Sequence, residues 1–341
     1  MSGERHHFIP RLLQKYFSIE SKSNKEKRIW VLDRSGKKYS CNIKDSGVER
    51  FFYSQTTESS LDDLITNEEA RFDQILIQLK DGITNQNTPI AEMIAHFEIR
   101  NKSLRSNMLQ IGSTFFDGLE RILSDESHVH RLVEKIFSPN AKPLLDALKE
   151  KGIPPDLFSQ LIKQQPQLIT IVHQQAADAF AIFLKNFDRQ EILKLARSAH
   201  IKAIAQDLSP RAKVEQYSKL NYQIITLSSK ALPLGDTIVF FETESERRYT
   251  SFLQKGDTLL SVFMPLSPSQ YLVGTSKSSA PFTHQDLPSI IASTSYDFIL
   301  APSDSEHFTR LIPEIGKAAS IFDHNEIEGI FEASFHDFIN Q

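Results

Sequence analysis

Two adjacent histidines, His6 and His7, are the first side chains in this sequence with the means to do chemistry. Imidazole titrates near neutrality and serves as a general base or as a ligand to a divalent metal. The same two rings can instead cap backbone carbonyls, so a structural role stays open. Arg100 and Arg105 come next. A guanidinium is a planar fork suited to phosphate. Five residues apart on a helix, the two side chains stand about 140° apart around the axis. A kink near Asn101 or Ser103 is therefore needed for both to reach one phosphate; otherwise each pairs with a nearby Glu. Asp236, in the turn Leu234-Gly235-Asp236-Thr237, is either a site carboxylate at a strand mouth or a residue bonded to its own turn. Catalysis is thus assigned to His6, His7 and Asp236, and phosphate binding to Arg100 and Arg105. Glu68 and Glu69 suit the start of a helix, where the dipole favours carboxylates. Glu69 with His7 could also hold Mg²⁺, Mn²⁺ or Zn²⁺.

Other chemistries lack their signatures. The chain has no Gly-rich phosphate loop, no Gly-x-Ser-x-Gly elbow and no His-Glu-x-x-His helix. Cys41 is the one cysteine, so no disulfide forms within the chain and no thiolate metal cage can be built. It reads as a small strand residue, with a nucleophilic role as the alternative. His128 and His130 are spaced so that their rings diverge on a helix. His307, His324 and His336 read as scattered surface residues.

Three stretches must position the candidates. Residues 1–56 form a head. The apolar spacing from His7 to Phe17 suits a short helix behind Pro10. The runs 29–32 and 38–43 flank a turn at Gly36 and predict a β-hairpin. Residues 57–220 carry three-to-four apolar spacing and predict helices over 61–79, 89–109, 111–123, 130–137, 142–151 and 167–198. Residues 221–341 change texture. Strands are predicted over 222–227, 237–241, 259–263, 270–274 and 297–301, helices over 286–295 and 307–315, and a terminal helix over 325–339. Segregated strands and helices argue for an α+β fold, with the sheet-rich end joined to the head in one domain.

The 341 residues, 40% hydrophobic and 24% charged, support a sizeable core without staples. No apolar run is long enough to span a membrane, and the N-terminus lacks a secretory h-region, so a cytoplasmic protein without a membrane partner is expected. Residues 1–56 carry 12 Lys or Arg against 6 Asp or Glu, a net of +6. That leaves −10 for the rest of a chain whose formal net charge is −4. The asymmetry either steers an anionic partner to the head or is a solvated surface.

Four strings together resemble a family known as domain of unknown function 4238, over roughly residues 5–315. They are His6 to Phe17; Glu49-Arg50-Phe51-Phe52-Tyr53 with Glu68-Glu69-Ala70; Ala95-His96-Phe97-Glu98-Ile99-Arg100 with Arg105; and Ile224 through Asp236 to Pro268. Around Asp236 the family tends to a Ser-Asp-Asn-Pro-like string, of which this chain keeps the aspartate. The resemblance implies no activity. The His6-His7 start is also similar in part to His-Asn-His metal nucleases, although no Asn-x-x-His closes that motif here.

Three functions follow as expectations. The first is a phosphodiester hydrolase, a nuclease of anti-phage defence or a toxin, acting on nucleic acid with a divalent metal. The second is a non-catalytic module that senses a nucleotide or anion and contacts a protein partner. The third is an interaction protein whose polar motifs pin head to body.

Overall fold

A computed structural model describes residues 5–20, 25–53, 60–123, 131, 135, 142–165, 167–186, 189–229, 231–254, 256–276, 286–320, 329 and 333. The chain divides into two compact units, Met1–Met108 with Arg197–Ile321, and Leu109–Ala196 with Phe322–Gln341. This division differs from the three stretches read from sequence. Residues 57–108 and 197–220 share a unit with the head because their helices bury apolar faces in its core.

The first unit is α+β, as expected, and every strand pairing described is antiparallel. Its N-terminal part holds β1 (Arg5–His7), α1 (Arg11–Gln14), β2 (Ile19–Glu20), β3 (Lys27–Asp33), β4 (Lys38–Asn42) and β5 (Val48–Arg50). The predicted hairpin is β3–β4, with Gly36 at φ +90°, a conformation open to glycine at no steric cost. Two helices follow, α2 (Ser60–Lys80) and α3 (Asn87–Ile99), and then α4 (Lys102–Leu123), which crosses the unit boundary. The second unit contains α5 (Lys142–Glu150), α6 (Pro155–Gln164) and α7 (Gln167–Asn186), and α8 (Arg189–Gln206) begins in it.

Back in the first unit come α9 (Arg211–Tyr217), β6 (Asn221–Thr226), β7 (Leu234–Gly235), β8 (Phe240–Thr243), β9 (Tyr249–Thr250), β10 (Leu259–Ser267) and β11 (Gln270–Thr275). Then α10 (Leu287–Thr294), β12 (Phe298–Ala301) and α11 (Glu306–Thr309) complete it. One sheet has the order β6-β11-β10-β8-β9. A second runs β2-β3-β12-β7, with β4 on the other edge of β3, so the head and the C-terminal stretch share one sheet. The main core gathers Ile9, Leu13 and Phe17 with Phe72, Leu76 and Phe97 and the inner faces of the sheets.

Several predicted elements move. His7 belongs to β1 rather than to a helix, because β1 pairs with β5 and α1 starts only after Pro10. The predicted helix 89–109 breaks at Arg100–Asn101, where Asn101 Oδ1 accepts the Leu104 N–H at 2.7 Å and starts α4. That helix then runs unbroken past Gly112. The strand expected at 237–241 begins only at Phe240, as β8, after Ile238 at φ +65°. Strand β10 continues through Pro265 by way of a bulge before Ser267. The expected helix 307–315 shortens to α11 and a 3₁₀ turn, Ile312–Glu314. The predicted helices 130–137 and 325–339, and His128, His130, His324 and His336, lie outside the described residues apart from single positions.

Candidate functional site

Strand β1 sorts the two histidines onto opposite faces, because successive strand side chains alternate. Its register sets Arg5 opposite Arg50, His6 opposite Glu49 and His7 opposite Val48. The chain is then held by Gly47, whose carbonyl accepts the N–H groups of Phe8 (2.9 Å) and Ile9 (3.2 Å). Gly47 has φ +60°, and a Cβ there would lie 2.7 Å from Ile9 Cβ, so both conformation and space require glycine. Buried Gln14 completes the anchor, donating to Ile9 O at 2.7 Å and to Ser46 O at 3.1 Å.

His6 points inward. It is 1% exposed, its Nδ1 accepts the Tyr53 N–H at 2.8 Å, and its ring stacks on Tyr53 at 5.5 Å. His7, on the other face, lines a cavity of about 700 Å³. Burial, followed by the nearby Arg11, holds its pKa down to about 4, against a hydrogen bond to the Lys44 main chain. The imidazole is therefore neutral at pH 7. Its Nε2 is enclosed and has no hydrogen-bond partner among the described residues.

Arg100 closes α3, a helix buried on nearly every side, so its guanidinium cannot reach bulk water. It is saturated instead by protein. Nε donates to Tyr53 Oη (2.6 Å), Nη2 to the His7 carbonyl (2.6 Å), and Nη1 to His96 Nε2 (2.9 Å) and Glu69 Oε1 (2.6 Å). His96 is fixed in the accepting tautomer because its Nδ1 donates to Leu208 O at 2.8 Å. Tyr53 Oη donates in turn to the His7 carbonyl at 3.1 Å, and burial pushes its phenol up to about 12. The network ties β1, residues 51–53, α2 and α3 together, and it leaves Arg100 few donors for a phosphate.

Arg105 does not join it. Its Nε donates to His200 Nδ1 at 3.1 Å, Nη2 donates to Phe52 O, and the cation sits 3.7 Å over the Phe52 ring. Glu49 lies 3.5 Å away. Burial pushes Arg105 down to about 10, with Arg197 adding repulsion and Glu49 opposing it, so it stays charged at neutral pH. The helix break at Asn101 thus sends the two arginines to different partners, and they form no shared clamp.

Asp236 is elsewhere again. It is fully buried and accepts the N–H groups of Tyr296 (2.6 Å), Asp297 (2.7 Å) and Phe298 (3.3 Å), which fixes the entry to β12. Burial pushes its carboxyl up to about 6 despite those donors. It does not line the cavity with His7. Glu68 and Glu69 sit in the interior of α2 because that helix starts at Ser60; its first-turn acids are Asp62 and Asp63. Glu68 pairs with Arg71 at 2.8 Å.

The structure therefore brings together three of the predicted residues, His7, Glu69 and Arg100, and keeps His6, Arg105 and Asp236 apart from that cavity. It adds Arg5, Arg11, Lys15, Lys27, Asp62 and Thr66 to the lining. Arg5 pairs with Asp45 (2.8 Å) and Lys15 with Asp73 (2.6 Å). Arg11 and Lys27 form no ion pair among the described residues. Arg11 and Lys15 lie in the motif string His6 to Phe17, whereas Arg5 and Lys27 were visible in sequence only as part of a net charge. The spacing of Asp62, Thr66 and Glu69 on one helix face was the legible signal for the acidic side.

A metal does not fit well here. Glu69 is committed to Arg100, and no group of three His, Cys, Asp or Glu side chains able to hold a metal ion forms among the described residues. No helix described is long and apolar enough to cross a membrane.

No curated protein and no solved structure matches the chain. The family described as protein of unknown function (DUF4238) matches residues 5–315, which holds all four motif strings and the whole cavity lining. The chain belongs to that family.

Proposed function

We propose that the cavity beside His7 binds a phosphate-bearing ligand, a nucleotide or one segment of a nucleic-acid strand. One observation carries this reading. Arg5, Arg11, Lys15, Lys27 and Arg100 line a space of about 700 Å³ against two carboxylates, and two of those cations, Arg11 and Lys27, form no ion pair among the described residues. Clustered cations in a concave low-dielectric site focus an attractive field for polyanions, and the volume suits a small organic ligand. A cytoplasmic setting supplies such ligands. The test is titration calorimetry with inorganic phosphate, nucleotides, single-stranded DNA and RNA. Micromolar to millimolar binding that weakens with salt and falls at least tenfold in Arg11→Ala/Lys27→Ala supports the reading. No binding to any of them overturns it.

Phosphodiester hydrolysis is the second reading, favoured by the neutral imidazole of His7 in the same cavity. A neutral ring can accept a proton from attacking water, and the cations can offset charge developing on phosphate. Because Nε2 is enclosed, ligand binding must first expose it. A place in anti-phage defence or as a toxin belongs with this reading. Incubation with plasmid, single-stranded DNA and total RNA, with Mg²⁺, Mn²⁺, Zn²⁺ or EDTA, separates the two. Cutting that is lost in His7→Ala supports hydrolysis; binding without cutting leaves the sensor.

A further inference from the structure

We propose that the ligand of this cavity is a ribonucleotide, with its sugar hydroxyls on Asp62 and its phosphate among Arg11, Lys15 and Lys27; this rests on the phosphate-binding reading above. The lining is segregated by element. Asp62, Ile65, Thr66 and Glu69 come from one face of α2, at i, i+3, i+4 and i+7. The cations Arg5, Arg11, Lys15 and Lys27 come from β1, α1, the turn after it and β3. A simple anion would need only the second group.

On the α2 face, two of the three polar side chains are occupied. Glu69 holds Arg100 at 2.6 Å, and Thr66 Oγ1 donates to the Asp62 carbonyl at 2.8 Å. The half-buried Asp62 carboxylate accepts no hydrogen bond among the described residues. A carboxylate withdrawn from water without donors is costly. Burial accordingly pushes the Asp62 carboxyl up, with His6 and Arg100 pulling the other way and Asp63 adding to the rise. The missing partner is an O–H or N–H donor supplied by a ligand. Because Arg11 and Lys27 line the cavity with no ion pair among the described residues, a positive group on the ligand is disfavoured. Neutral hydroxyls meet the requirement. A vicinal diol presents two of them to one carboxylate, as ribose does to the acidic residue of dinucleotide folds. Leu12, Ile43 and Ile65 supply apolar lining for the face of a base.

The experiment compares adenosine 5′-monophosphate, its 2′-deoxy analogue and inorganic phosphate by calorimetry on the full chain. The wild-type protein should bind the ribonucleotide at least tenfold more tightly than the deoxy analogue. That is roughly what one charge-assisted hydrogen bond contributes. Asp62→Asn should shrink the ratio to about twofold or less, with inorganic phosphate bound as tightly as before or more tightly. Equal affinity for the two nucleotides in the wild type, or a ratio that survives Asp62→Asn, overturns the ribose assignment and leaves phosphate binding standing. Failure of all three ligands to bind overturns both. The wild-type comparison needs no variant to fold.

Discussion

Arg100 donates through Nη2 to the main-chain carbonyl of His7 at 2.6 Å, so the most buried cation described in the fold grips the backbone of its most suggestive residue. The guanidinium sets where the His7 ring stands, and it does so from inside the protein. Arg100→Ala removes this bond together with those to Tyr53, His96 and Glu69. Breaking one side of such a buried network costs about 3–5 kcal/mol. Urea denaturation should show that loss, and Arg100→Lys, without the fork, should recover less than half of it. A loss under about 1 kcal/mol would mean the network is decoration.

Tyr53→Phe removes a single hydroxyl that accepts from Arg100 and donates to the His7 carbonyl. The ring and its stacking on His6 stay. Two buried partners are left wanting, at a cost of about 1–3 kcal/mol. Thermal melting should fall accordingly, and ligand affinity at the cavity should weaken because His7 is held by one bond fewer.

Asp236→Ala tests a scaffold role. Three main-chain N–H groups lose their acceptor at the start of β12, and stability should drop by about 2–4 kcal/mol. Phosphate binding measured below the melting transition should be unchanged, because Asp236 does not line the cavity. A variant that folds normally but fails to bind would return Asp236 to the site.

Acid should destabilise the fold. His7 and His200 are held down to about 4, first by burial and then by Arg11 and Arg105 respectively, against an ordinary value of 6.5. Above about pH 6.5 neither the folded nor the unfolded chain protonates them, and their full contribution is present. As pH falls from there towards 4, the unfolded chain takes up protons that the folded chain refuses, so stability drops. The upper limit is about 3 kcal/mol per histidine. Asp236 works the other way. Its folded value is near 6 and its ordinary value 3.8, so falling pH adds stability over that window. Two histidines outweigh one aspartate, and chemical denaturation should show lower stability at pH 4.5 than at pH 7. Equal stability at both would mean the rings are solvated.

Lys27→Ala should be nearly silent in stability, within about 0.5 kcal/mol, because it breaks no ion pair among the described residues. Its effect should be on binding, as a several-fold weaker phosphate affinity and a shallower dependence on salt. Unchanged affinity would remove Lys27 from the site.

Local chemistry in the sequence determined a good deal. The β-hairpin at Gly36, the strands at 222–227, 270–274 and 298–301, and the α+β segregation follow from period-two runs and turn residues within a few positions of one another. Residue type and motif order also set His7 beside Arg100, and paired His7 with Glu69 as metal ligands, but drew Arg105 and Asp236 into the same group. Tertiary structure decided what they do. Arg100 reads as a phosphate ligand until α3 is seen to be buried on nearly every side, when its partners become protein groups from four separate parts of the chain. Asp236 reads as a site carboxylate until three N–H groups sixty residues away close around it. Lys27 and Asp62 lie outside all four motif strings, and Arg11 lies in the first of them with no signal of its own. Their importance comes from lacking a partner among the described residues while sharing one hollow, and that depends on what the neighbouring elements leave unfilled, a property no stretch of sequence contains.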